Sequence, residues 1–188
     1  FSIIAQSKIG KKVLLEGLKS ESFQGDQVIK SMARDFGVNF EFKNEGLLIE
    51  KHSLALKKEL KLDFRKCPDL AQTVLPCAAS LKINLEMTGL ESLRIKETDR
   101  ILALQNELAK FNCQLIESKK GVWKLKTSDF SIKSEPIIET YEDHRMAMGF
   151  APLAINNALQ INDIEVVNKS YPTFWDDLQL FGFEFMQK

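Results

Sequence analysis

Histidine and cysteine are scarce in these 188 residues, and that scarcity excludes chemistry first. His52 and His144 are the only histidines, too few for a His-rich metal site. Cys67, Cys77 and Cys113 are odd in number and lack metal-ligand spacing, so they read as reduced thiols of a cytosolic protein. Net charge is also missing. With 26 basic and 26 acidic side chains, nothing argues for nucleic acid or an anionic membrane as partner. No apolar run approaches membrane-spanning length, and no N-terminal stretch has the layout of a signal peptide. There is no Met at position 1. Phe1, Ile3, Ile4 and Ala5 look like a helix interior without its cap, so we expect a segment of a longer folded protein.

What is present is an ordinary globular balance, 44% apolar and 28% charged, in a length sufficient for one domain or two small ones with a real core. After a helix end at 1–8 and a strand at Val13 to Glu16, a helical pattern runs from Asp26 to Phe36, ended by Gly37. Val38, Phe40 and Phe42 alternate as a strand, and Asn44-Glu45-Gly46 turns into a second one. The order then returns. A short strand over Leu60 to Phe64 precedes a helix opened by Pro68-Asp69 and running to about Leu81. A strand at Ile83 to Met87, a helix after Lys96 to Phe111, and paired strands around Lys119-Lys120-Gly121 follow. A third pass has a strand near Pro136 to Glu139, a helix from Asp143 to about Asn157, a strand at Leu159 to Ile161, a helix from Pro172 to Phe181 and a last strand at Phe183 to Phe185.

The register is regular. Asp69 and Asp143 open helices 74 residues apart, and Gly37, Asn112 and Gly182 each follow a Phe that closes one. This pattern predicts an α/β (α+β) fold in one domain over 1–188, built from three βαβαββ units at about 1–58, 59–130 and 131–188. The apolar helices would pack inside and the sheets outside, around a pseudo-threefold axis.

Function belongs where equivalent positions differ in chemistry. Lys96 and Arg100 sit four apart at a helix start, where two cations repel each other and oppose the helix dipole. Glu97 and Asp99 are available as local counter-charges. The alternative is a bound anion, which such a start attracts. His144-Arg145 and Lys169 repeat the anomaly at two further helix starts. Asp143 reads as an N-cap; Asp69 reads equally as a cap or as a functional carboxylate. Cations converging from related units argue for a substrate with more than one anionic group, and Glu97 and Asp69 would be carboxylates set among them.

Four segments carry a resemblance: Asp69-Leu-Ala-Gln-Thr, Leu93-Arg-Ile-Lys-Glu-Thr-Asp-Arg100, Tyr141-Glu-Asp-His-Arg-Met-Ala-Met148 and Lys169-Ser-Tyr-Pro-Thr-Phe174. In order and spacing they resemble the 5-enolpyruvylshikimate-3-phosphate synthase family, over essentially the whole chain. The resemblance implies a two-domain enolpyruvyl transferase fold of which this is the half carrying the C-terminus. It implies transfer of the enolpyruvyl group of phosphoenolpyruvate to shikimate 3-phosphate, in the cytoplasm, with no metal and no organic cofactor. It implies Asp69 and Glu97 as catalytic, Asp69, Ser92 and Lys96 on shikimate 3-phosphate, and Arg100, His144, Arg145 and Lys169 on phosphoenolpyruvate. Ser92 departs from the Asn usual in the family. The missing N-terminal domain would supply the rest of the site. Rival readings are the transferase acting on UDP-N-acetylglucosamine, which should lack the Lys96 to Arg100 and Asp143 to Ala147 runs, and a non-catalytic domain of the same repeat.

Overall fold

The computed structural model describes residues 1–18, 28–54, 57–96, 98–132 and 134–186. The expected helix start at Asp26 and the catalytic candidate Glu97 lie outside these residues. The described chain is a mixed α/β fold with three sheets around a helical core.

The first sheet joins β1 (Lys12–Glu16), β2 (Val38–Phe42) and β3 (Gly46–Lys51) in the order β1-β3-β2, antiparallel throughout. Helix α1 (Ser2–Gln6) precedes β1 and α2 (Ile29–Asp35) precedes β2. The second sheet adds one strand to the same plan. Its order is β4-β5-β7-β6, from β4 (Glu59–Asp63), β5 (Asn84–Thr88), β6 (Gln114–Lys119) and β7 (Val122–Lys126). β4 and β5 run parallel, so a helical crossover must join them. That crossover is α3 (Ala71–Ser80), entered through a 3-10 turn at Pro68–Leu70. The two-stranded third sheet pairs β8 (Ile137–Ile138) with β9 (Gln160–Ile161), again parallel and again bridged by a helix, α5 (His144–Phe150). Helix α4 (Arg100–Ala109) connects β5 to β6, and α6 (Phe174–Leu180) follows β9.

The core lies between the helices. α3 is buried on nearly every side, from Ala71 and Gln72 through Val74 to Ala79, so it is the central helix. Small residues let its neighbours approach. A Cβ at Gly149 of α5 would stand 2.1 Å from the Gln72 carbonyl oxygen, so only glycine fits there. That carbonyl is also released from the helical ladder, because Pro76, four residues on, has no N–H to give it.

The helix closures follow the expected register. Gly37, Asn112 and Gly182 all have left-handed backbone, with φ of 75°, 57° and 92°. Each amide returns to a carbonyl three residues back, at 2.8 to 3.0 Å.

Two expectations are corrected. α5 ends at Phe150 rather than near Asn157, and the chain continues as a 3-10 turn, Ala151–Ile155. Pro152 has no N–H for the Met148 carbonyl, so the α-helical ladder cannot run on. Phe183 to Phe185 form no strand. Their rings pack instead: Phe185 meets Trp175 edge-on at 5.6 Å, and Phe183 lies against the small cluster around Ala147.

Candidate functional site

Three segments meet where the turn before α3 faces the starts of α4 and α5. Pro68 opens that turn and places Asp69 at its second position. There Asp69 collects cations. Arg100 Nη1 donates to its Oδ1 at 2.8 Å, Lys96 Nζ stands 3.5 Å from the same oxygen, and Arg145 Nη2 lies 3.3 Å from Oδ2.

Arg100 is the hinge of the arrangement. Its side chain is 2% exposed, and it is held by two aspartates, with Nη1 on Asp69 and Nε on Asp143 Oδ2 at 2.6 Å. Asp143 is wholly buried. Its Oδ1 accepts the Arg145 main-chain N–H at 2.9 Å, which caps α5, and its Oδ2 also accepts Gln72 Nε2 at 3.1 Å. Burial pushes this carboxyl upward. The bonds from the Arg145 amide, Arg100 and Gln72 outweigh burial and hold it below the ordinary carboxylate range. The Gln72 bond depends on close α3–α5 packing, which Gly149 permits. His144 Nδ1 is 3.9 Å from Asp143 Oδ1, at the margin of the cluster.

Asp69, Lys96, Arg100 and Arg145 are thus brought together. Among the described residues, Lys96 and Arg100 find counter-charge across the fold, on Asp69. Asp99 is occupied as the cap of α4, its Oδ1 accepting Leu102 N–H at 3.0 Å. Ser92 is exposed in the 3-10 turn Glu91–Ile95, outside these contacts. Lys169 ends the turn Ile164–Lys169, exposed and without an ion pair to any described residue. That turn rests on α5 through the buried Val167.

The sequence pattern missed two members. Asp143 passed as a simple cap, although its place inside the Tyr141 to Met148 run was a signal. Arg94 was not singled out. Its guanidinium lies 5.2 Å from the Trp123 ring centre and 3.7 Å from both Asp99 and Glu117, tying the segment before α4 to the β6–β7 hairpin.

Among Asp69, Asp143, Lys96, Arg100 and Arg145, three cations face two carboxylates. Asp69, Lys96 and Arg145 are only partly buried, so an incoming anion can reach these cations. It can take over donors now pointing at Asp69 and leave that carboxylate free to accept a hydroxyl. Among the described residues no group of three or more His, Cys, Asp and Glu side chains is placed to hold a metal ion.

The family profile described as EPSP synthase (3-phosphoshikimate 1-carboxyvinyltransferase) matches residues 1–178. The chain belongs to the EPSP synthase family. It is 41% identical over 170 residues to a 3-phosphoshikimate 1-carboxyvinyltransferase of Bacteroides fragilis, covering 90% of this chain and 41% of that protein. It is 33% identical over 171 residues to the one of Methanospirillum hungatei, covering 90% and 39%. An EPSP synthase structure from Acinetobacter baumannii shares the fold, with a TM-score of 0.73 at 22% identity, covering 95% of this chain and 43% of the other. The chain therefore spans about two fifths of the EPSP synthases it matches.

Proposed function

We propose that the protein to which this chain belongs transfers the enolpyruvyl group of phosphoenolpyruvate to the 5-hydroxyl of shikimate 3-phosphate and releases phosphate. What carries this reading is the meeting on one carboxylate of three cations, two from the start of α4 and one from the start of α5, in a chain of this family. Both substrates bear a phosphate and a carboxylate, the anions such a cluster accepts.

In this reading Lys96 and Ser92 bind shikimate 3-phosphate, and Arg100, Arg145, His144 and Lys169 bind phosphoenolpyruvate. Asp69, relieved of its cations by these anions, holds the ring hydroxyls and takes the proton of the attacking one. That oxygen bonds to the central carbon of phosphoenolpyruvate while Glu97 protonates the methylene carbon. Glu97 then takes a proton back from the resulting methyl as the carbon–oxygen bond to phosphate breaks, which restores the double bond. Charge develops and disappears within a set of fixed cations, where electrostatic stabilisation is strong. The rest of the protein, the domain absent from this chain, closes over the cleft and excludes water. In this reading the reaction takes place in the cytoplasm. No helix among the described residues is long and apolar enough to cross a membrane.

The full-length protein should release phosphate only when both substrates are present, and Glu97→Gln should abolish turnover while calorimetry still detects binding. The isolated chain should fold without turnover. Steady phosphate release from the isolated chain would overturn the division of the site, and full turnover by Glu97→Gln would remove Glu97 from the chemistry.

A further inference from the structure

Glu107 lies two turns along α4 from Arg100, on the same face of the helix. Its carboxylate is 0% exposed and fully engaged. Oε1 accepts the Tyr141 hydroxyl at 2.9 Å. Oε2 accepts the Glu139 main-chain N–H at 3.1 Å and Lys110 Nζ at 2.6 Å. Lys110 Nζ also donates to the Ile137 carbonyl at 2.7 Å, and Asn106 Nδ2 donates to the Tyr141 hydroxyl at 3.3 Å.

Apart from the Lys110–Glu107 pair, these bonds end on one short segment, residues 137–141, which leads into α5. At its end Tyr141, and Glu142 after it, both have left-handed backbone, with φ of 54° and 57°. Two consecutive non-glycine residues in that region are sterically costly, and a segment keeps such a form only where its surroundings impose it. The next residue is Asp143, which grips Arg100, and Arg145 follows two later. The segment is thus stapled to α4 twice, by Asp143 at Arg100 and by Tyr141 and Glu139 at Glu107.

We infer that Glu107 is a positioning residue. Through Tyr141 it imposes the left-handed turn that sets Asp143 against Arg100 and aims Arg145 at the anion site. This assignment rests on the reading of Arg100 and Arg145 as phosphoenolpyruvate ligands. A merely stabilising carboxylate would affect folding without favouring one substrate.

The test uses the full-length synthase and measures phosphate release against each substrate, with thermal melting alongside. Tyr141→Phe keeps the ring and removes one bond to Glu107, and Glu107→Ala removes the whole clasp. The KM for phosphoenolpyruvate should rise about tenfold in Tyr141→Phe, with the KM for shikimate 3-phosphate within about twofold of wild type. Glu107→Ala should show the same split, larger. Should Glu107→Ala not fold, Tyr141→Phe alone decides. A lower melting temperature with both KM values unchanged, or with both raised alike, would overturn the assignment. Arg100→Ala serves as reference. If it raises the phosphoenolpyruvate KM and Tyr141→Phe does not, the positioning role falls alone. If Arg100→Ala leaves that KM unchanged, the ligand reading of Arg100 fails and the assignment falls with it.

Discussion

Asp143 stays charged in the core because its two oxygens together accept three hydrogen bonds, two of them from side chains and one from main chain. Removing it would strip the buried Arg100 guanidinium of the carboxylate that its Nε bonds. Asp143→Ala should therefore lower the unfolding free energy by about 3–5 kcal/mol, measured by urea titration. The pH dependence follows from the depressed pKa. The folded carboxyl titrates below its unfolded value of about 3.9, so its contribution is present above that pH and is lost as pH falls through the lower folded value. Urea midpoints should fall on acidification below about pH 4 in the wild type, and less so in Asp143→Asn. Burial acts the other way on the thiols, pushing Cys77 up to about 11 and Cys113 up to about 12. At pH 8 the Cys77 thiolate is on the order of one part in a thousand, so iodoacetamide should leave both unmodified until urea opens the fold.

The packing of α3 on α5 depends on one missing methyl group. Alanine is normally the better helix former, so Gly149→Ala would stabilise an isolated helix. Here its Cβ meets main chain, which cannot swing aside, and overpacking should cost about 1–3 kcal/mol, read as a lowered melting temperature. Elements with a clear period were legible in the sequence. β2 alternates, α4 places Ile101, Leu104 and Leu108 on its buried face, and the left-handed closures showed through Gly37, Asn112 and Gly182. The 3-10 turns at Glu91–Ile95 and Ile164–Lys169 were not legible, because five or six residues carry no period to read. Phe183 and Phe185 misled because two alternating rings can pack on neighbouring side chains, as Phe185 does on Trp175, without any strand pairing. The site was half legible. Cations at helix starts betray themselves by opposing the dipole, whereas Arg100 finds Asp69 31 residues away and Asp143 43 residues away. Such pairings depend on the folded topology, which local pattern does not encode.

At the scale of the molecule, the helices take the interior and the sheets keep open rims. In the first sheet β1 pairs only with β3. Its other rim is a row of main-chain donors and acceptors with no strand partner among the described residues, flanked by Leu14 and Leu15, each more than a third exposed. The charges at its ends, Lys12 and Glu16, leave the middle of the strand unguarded. In the isolated chain that rim is a template for a second copy. Sedimentation velocity should show the mass rising with concentration, and Leu14→Lys should suppress the rise with little loss of stability. On this prediction the usable concentration of the separated chain depends on five residues of backbone at one sheet edge, and a screen for solution conditions should begin at that strand.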